Sequence, residues 1–219
     1  MPTGLILLAL VPVIAGAARM SELAGGAEVT PDNARFLASP VPIVVHVVSV
    51  TVYSILGAFQ FASGFRRRRP GWHRAAGRVL VPCGLGTALS GLWMTLFYAR
   101  PADVGSAVTG LRLVVGSAML AAIVLAFTAI RRREIARHRA WMIRAYALAL
   151  GAGTQAFTQM PWILAVGPLD KSSKAALMGL GWAINIAVAE WIIRRPSRLR
   201  DARTRARHDR PASVPASSG

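Results

Sequence analysis

Residues 42–64, 79–98, 109–130, 141–164 and 175–193 are predominantly apolar runs of about twenty residues, the length at which a helix crosses a bilayer. Lipid offers no partner to a backbone N–H or C=O, so such runs must satisfy their own hydrogen bonds as helices. A shorter run, 3–18, carries Pro12 and ends near "AGAA", which resembles a small-residue cleavage site. No positive residue precedes it, unlike the basic start of a signal peptide, so a retained first helix is expected. The expected fold is therefore all-α, a polytopic transmembrane helix bundle of about six spans, or five if the first is cleaved. Residues 1–195 form the membrane domain. Residues 196–219, rich in Arg, Ser and Pro, read as a disordered basic cytoplasmic tail.

Charge supports the same reading. The chain has a formal net charge of +17, and its only lysines are Lys171 and Lys174. A nucleic-acid binder needs a basic face on a soluble module, whereas here arginines sit between apolar runs, so no nucleic-acid partner is expected. Segments 65–78, 131–140 and 194–219 hold 6, 5 and 8 Lys or Arg residues, against 2, 1 and 2 in segments 19–41, 99–108 and 165–174. Alternate loops differ in this way when the basic ones are cytoplasmic. That predicts a plasma-membrane protein with both termini inside if the first helix is retained, its turns against anionic headgroups. Cys83 stands alone, which excludes a disulfide framework.

Two basic segments share a phrase. "RRRRPGWHRAAGR" and "RRREIARHRAWMIR" each run arginines, a spacer, His-Arg-Ala and a further arginine. Each lies between two spans, which suggests repeated two-helix hairpins, although the positive-inside bias also produces such turns independently. Gly84, Ala88 and Gly91, and likewise Gly179, Ala183 and Ala187, form small faces of the kind that let membrane helices approach closely. Trp72, Trp141, Trp162 and Trp191 fall near span ends, as interfacial aromatics do.

Polar residues inside the spans are the functional candidates, because each is costly in hydrocarbon. His46, Tyr53 and Gln60 are seven residues apart and share one helical stripe. Arg144, Gln155 and Gln159 share one side of the 141–164 span. Arg112 lies in the 109–130 span, and Asn185 and Glu190 in the last, about 140° apart around its axis. If the second and fifth spans face each other, these groups make a polar line across the membrane, with Glu190 and Arg144 as counter-charges. Each has a plainer reading: snorkelling for Arg112 and Arg144, an i,i+4 pair with Arg194 for Glu190, and hydrogen bonds between helices for the amides.

The stretches "VHVVSVTVYSILGAFQF", "RRRRPGWHRAAGRVL", "ALSGLWMTLFY", "RRREIARHRAWMIRAYAL" and "AEWIIRR" resemble, in order over about residues 40–195, the bacterial membrane proteins of domain of unknown function twenty-three-oh-six. The resemblance implies a multi-helix membrane fold and brings no activity or catalytic residue with it. Four functional classes stand. The preferred one is a binder of a small lipophilic or redox ligand between helices, a quinone or b-type haem. Haem ligands must share a depth, which leaves His73 and His138, from the two equivalent turns, as the haem or metal candidates. The alternatives are a membrane-embedded acid–base enzyme on a lipid or isoprenoid, a small-solute or proton-coupled transporter working as a homodimer, and a structural or assembly subunit. No HExxH, paired carboxylates or Ser/His/Asp set singles out the enzyme.

Overall fold

The computed structural model describes residues 2–62, 64 and 68–208. Among them every regular element is an α-helix: α1 (Pro2–Ala24), α2 (Ala34–Ala38), α3 (Pro40–Gln60), α4 (Pro70–Phe97), α5 (Ser106–Arg131), α6 (Ile135–Ala149), α7 (Gly151–Ala165) and α8 (Lys171–His208). Proline opens α3 and α4, where its missing N–H would have been unpaired in any case. Five helices are long and apolar enough to span a membrane: α1, α3, α4, α5 and α8 as far as Arg195.

The expected span at 141–164 is corrected. It is two helices of 15 residues each, parted at Leu150, and each is about 22 Å long, short of a bilayer on its own. Glycines at 151 and 153 sit beside the break, and the close packing described below excludes any side chain at either position. The start also moves back, to Ile135, so α6 begins inside the arginine phrase. The tail expected to be disordered from residue 196 meets a helix described through His208. Its sequence there is mostly Arg, Ala and Leu, strong helix formers. Residues 209–219, the rest of that tail, lie outside the described residues.

The core is built from small side chains. Of the twenty buried apolar residues among those described, nine are alanine, and the largest fully buried side chain among them is Tyr53. Large apolar residues such as Leu7, Val48, Phe97, Val114, Phe157 and Val188 are instead exposed. This inversion suits a bundle whose outer surface meets lipid and whose helices gain by close approach. Packing follows the chain as hairpins: α3 on α4, α5 on α6, and α7 on α8, with α4 against α5, and α1 against α3 and α7. Both copies of the basic phrase start the second helix of a hairpin, and His73 and His138 are each the fourth residue of that helix.

The α5–α6 turn is tight. Arg133 lies in the left-handed region at φ 61°, its N–H bonded to the Ile130 carbonyl, while the Glu134 N–H reaches Ala129. That is a Schellman ending with arginine where glycine is commonest. At the opposite end, Lys174 of α8 pairs with Asp103 of the α4–α5 connection, and its hydrogen bond holds the Asp103 carboxyl below the usual carboxylate range. The tie persists above that range and is lost as the pH falls through the lowered value; being exposed, it contributes little.

Candidate functional site

The break at Leu150 organises one group of polar candidates. In a continuous helix the Ala147 and Leu148 carbonyls would accept from residues 151 and 152. Here α8 side chains serve them: Asn185 Nδ2 donates to Ala147 O at 3.0 Å and Trp182 Nε1 to Leu148 O at 3.3 Å. Asn185 Oδ1 accepts from Thr154 Oγ1 at 2.7 Å. Further along α7, Gln155 Nε2 donates to Met178 O at 3.4 Å and Thr158 Oγ1 to Leu177 O at 2.9 Å. A Cβ on Gly151 would occupy the space of the Trp182 indole, so glycine is what lets that indole reach the carbonyl. Gln159 is half-buried one turn beyond Gln155.

A second group lies nearer the arginine-rich end. Arg144 holds Glu190 through two bonds, Nε to Oε1 at 2.6 Å and Nη2 to Oε2 at 3.2 Å, and its guanidinium sits 4.7 Å over the Trp141 ring. Arg194 also approaches Glu190, Nη2 to Oε2 at 3.6 Å. The counter-charge reading and the i,i+4 reading of Glu190 therefore both hold. Although Asn185 and Glu190 are on different faces of α8, both reach α6, because the length of Arg144 spans the difference.

The polar line across the membrane is corrected. The second and fifth spans do meet, through Tyr146 of α6, whose hydroxyl donates to Ser54 O of α3 at 2.7 Å. The line also needed Gln155 and Gln159, however, and these stand on α7, which packs on α8 and α1. The stripe is used up locally. His46 Nδ1 lies 3.1 Å from Thr87 O and 3.0 Å from Ser90 Oγ, a donor shared between two acceptors on α4. Gln60 Nε2 donates to His73 O at 3.3 Å. Tyr53 lies, with Ile123, against Gly84 and 5.9 Å from the Tyr146 ring of α6, and its buried hydroxyl has no hydrogen-bond partner. A buried hydroxyl without a partner costs about 1–3 kcal/mol. Tyr53→Phe is accordingly expected to raise stability by about 1 kcal/mol, read as a higher midpoint of thermal unfolding in detergent. Arg112 is exposed on α5, as a snorkelling side chain would be.

His73 and His138 sit in different hairpins. His138 Nδ1 donates to Ala126 O at 2.9 Å on its own hairpin's first helix. Among the described residues no three His, Cys, Asp or Glu side chains cluster as a metal site would require.

The residues that make a cavity were mostly missed from sequence. Between α5, α6 and α8 lies a cleft of about 370 Å³ lined by Val114, Val115, Ala118, Ala122, Trp141, Arg144, Leu148, Trp182, Ala183 and Ile186. Its floor is buried Ala122 and Leu148, and its rim is exposed Val114, Ala118 and Ala183. The sequence groups Ala183 with Gly179 and Ala187 in a packing face. The residue that makes the close approach is Gly181, against Gln155, and Ala183 and Ala187 are exposed. The small face leaves room for the cleft instead of filling it. The available signal was Trp182, the one span tryptophan far from both ends. A larger depression of about 590 Å³ lies at the opposite end, among Arg100, Gly105, Lys171 and their neighbours, and none of the sequence candidates lines it.

No curated protein and no solved structure matches the chain. The family model described as predicted membrane protein (DUF2306) matches residues 43–193, which takes in the break, the ion pair and the whole cleft. The chain belongs to that family.

Proposed function

We propose that the protein is a plasma-membrane binder of a small lipophilic ligand, held in the cleft between α5, α6 and α8. The observation that carries this is the cleft itself. Its volume lies within the range of small-molecule sites, its walls are apolar apart from Arg144 and the two indoles, and its rim opens on a surface that hydrocarbon would cover. The alternating basic segments support an orientation with the arginine-rich turns and both termini in the cytoplasm. Haem is disfavoured there, because none of the ten lining residues is an axial ligand of the usual kinds. A carrier would use free carbonyls at a helix break to hold an ion, but Asn185 and Trp182 already occupy those of Ala147 and Leu148.

Trp141 and Trp182 report on occupancy. A stearic acid labelled with bromine on its chain, or its methyl ester, should quench emission saturably in the detergent-purified protein, and most of that quenching should disappear in Trp182→Phe. Ala118→Leu with Ala183→Leu fills the rim from exposed positions and should abolish saturation while helix content is kept. Quenching that is linear in probe, or unaffected by filling, overturns the reading.

A further inference from the structure

Resting on that cleft, we propose that its ligand is an anionic amphiphile, an aliphatic chain ending in a carboxylate or phosphate whose oxygens bind Arg144. The cleft runs from Val114, about a third of the way along α5, to Trp141 and Arg144 on the arginine-rich side, so its apolar walls reach the side chain that carries the charge. Arginine has five N–H donors in a planar fork. Glu190 takes two of them, at Nε and Nη2. Three donors remain for a second oxyanion, on a side chain that keeps 28% exposure, and Trp141 backs the guanidinium plane. A neutral ester carbonyl can accept one hydrogen bond from the guanidinium, whereas an oxyanion adds the attraction of opposite charges and can take two parallel N–H bonds at once.

Glu190 is then a competitor as well as a partner. It has a second guanidinium within 3.6 Å, that of Arg194 one turn on, so it keeps a counter-charge if the ligand draws Arg144 away. The two halves of the ion pair therefore have opposite effects on the ligand, which a purely structural pair would not show.

The test compares bromine-labelled stearic acid with its methyl ester at pH 8 on the full-length, detergent-purified protein. The chains are identical and the charge differs. The acid should bind about tenfold more tightly than the ester. Arg144→Gln should bring the acid down to the ester's affinity in that variant, and Glu190→Gln should tighten the acid several-fold. A brominated phosphatidylglycerol run in parallel separates the sources: binding as tight as the acid's assigns a phospholipid head, and weaker binding assigns a free fatty acid. Equal affinity of acid and ester in the unaltered protein overturns this proposal and leaves the cleft reading intact, as does a Glu190→Gln variant that binds the acid more weakly. Absence of saturable quenching by either probe removes the cleft reading itself.

Discussion

Arg144→Met is expected to lower stability by about 2–3 kcal/mol, seen as a drop of roughly 4–12 °C in the unfolding midpoint in detergent. Removing one partner of a buried pair usually costs about 3–5 kcal/mol, because the other charge is left without compensation. The figure is reduced here for two reasons. The side chains of Arg144 and Glu190 retain 28% and 25% exposure, and Glu190 falls back on Arg194. Glu190→Met leaves Arg144 with only the Trp141 face beside it and should cost at least as much. The decisive measurement is the double variant. With both charges gone nothing is stranded, so Arg144→Met with Glu190→Met should be more stable than either single change. Additive losses would mean that the two side chains act independently.

Gly153→Ala should cost about 3 kcal/mol or detach α1 altogether. A methyl at Gly153 would overlap the carbonyl oxygen of Leu8, so the conflict is with the backbone of another helix. Neither side has a rotamer to change, and relief requires moving α1 away from α7. Gly16 gives the contrast. A Cβ there meets Val47 Cγ1 at 2.9 Å, a side chain that can turn. Gly16→Ala should therefore cost less than about 1 kcal/mol. Ala9, 1% exposed, reports on docking. Carried as Ala9→Cys, it should react with a maleimide at least tenfold faster in the Gly153→Ala background, with Cys83 replaced by alanine. An unchanged rate would show that α1 does not depend on this approach.

Hydropathy recovered five spans because composition alone decides whether a segment tolerates lipid, although α4 begins at Pro70, nine residues before the expected start, and α1 runs to Ala24, six beyond the expected end. It missed the division at Leu150, since "YALALGAGTQAF" is smoothly apolar and the interruption depends on which carbonyls find donors on a helix thirty-odd residues away. The charged pair was legible: two opposite charges at one depth have strong reason to meet. The stripe of His46, Tyr53 and Gln60 was legible as a face, but its partner was not. Ser90 and the Thr87 carbonyl satisfy His46, and neither stands out in an apolar window. The cleft was invisible for a related reason. Ala118, Ala122 and Ala183 read equally well as packing surface or as vacancy, and only the arrangement of three helices decides between them.

The two donors that α8 extends to the interrupted helix have a consequence for motion. Trp182 and Asn185 are three residues apart and engage adjacent carbonyls, so rotating α8 or sliding it by one residue would release both at once. The long C-terminal helix is thereby indexed to a single angular setting. Because Glu190 rides on the same rod, any turn of α8 that uncovers those carbonyls also pulls on Arg144, so the cleft and the backbone break move together.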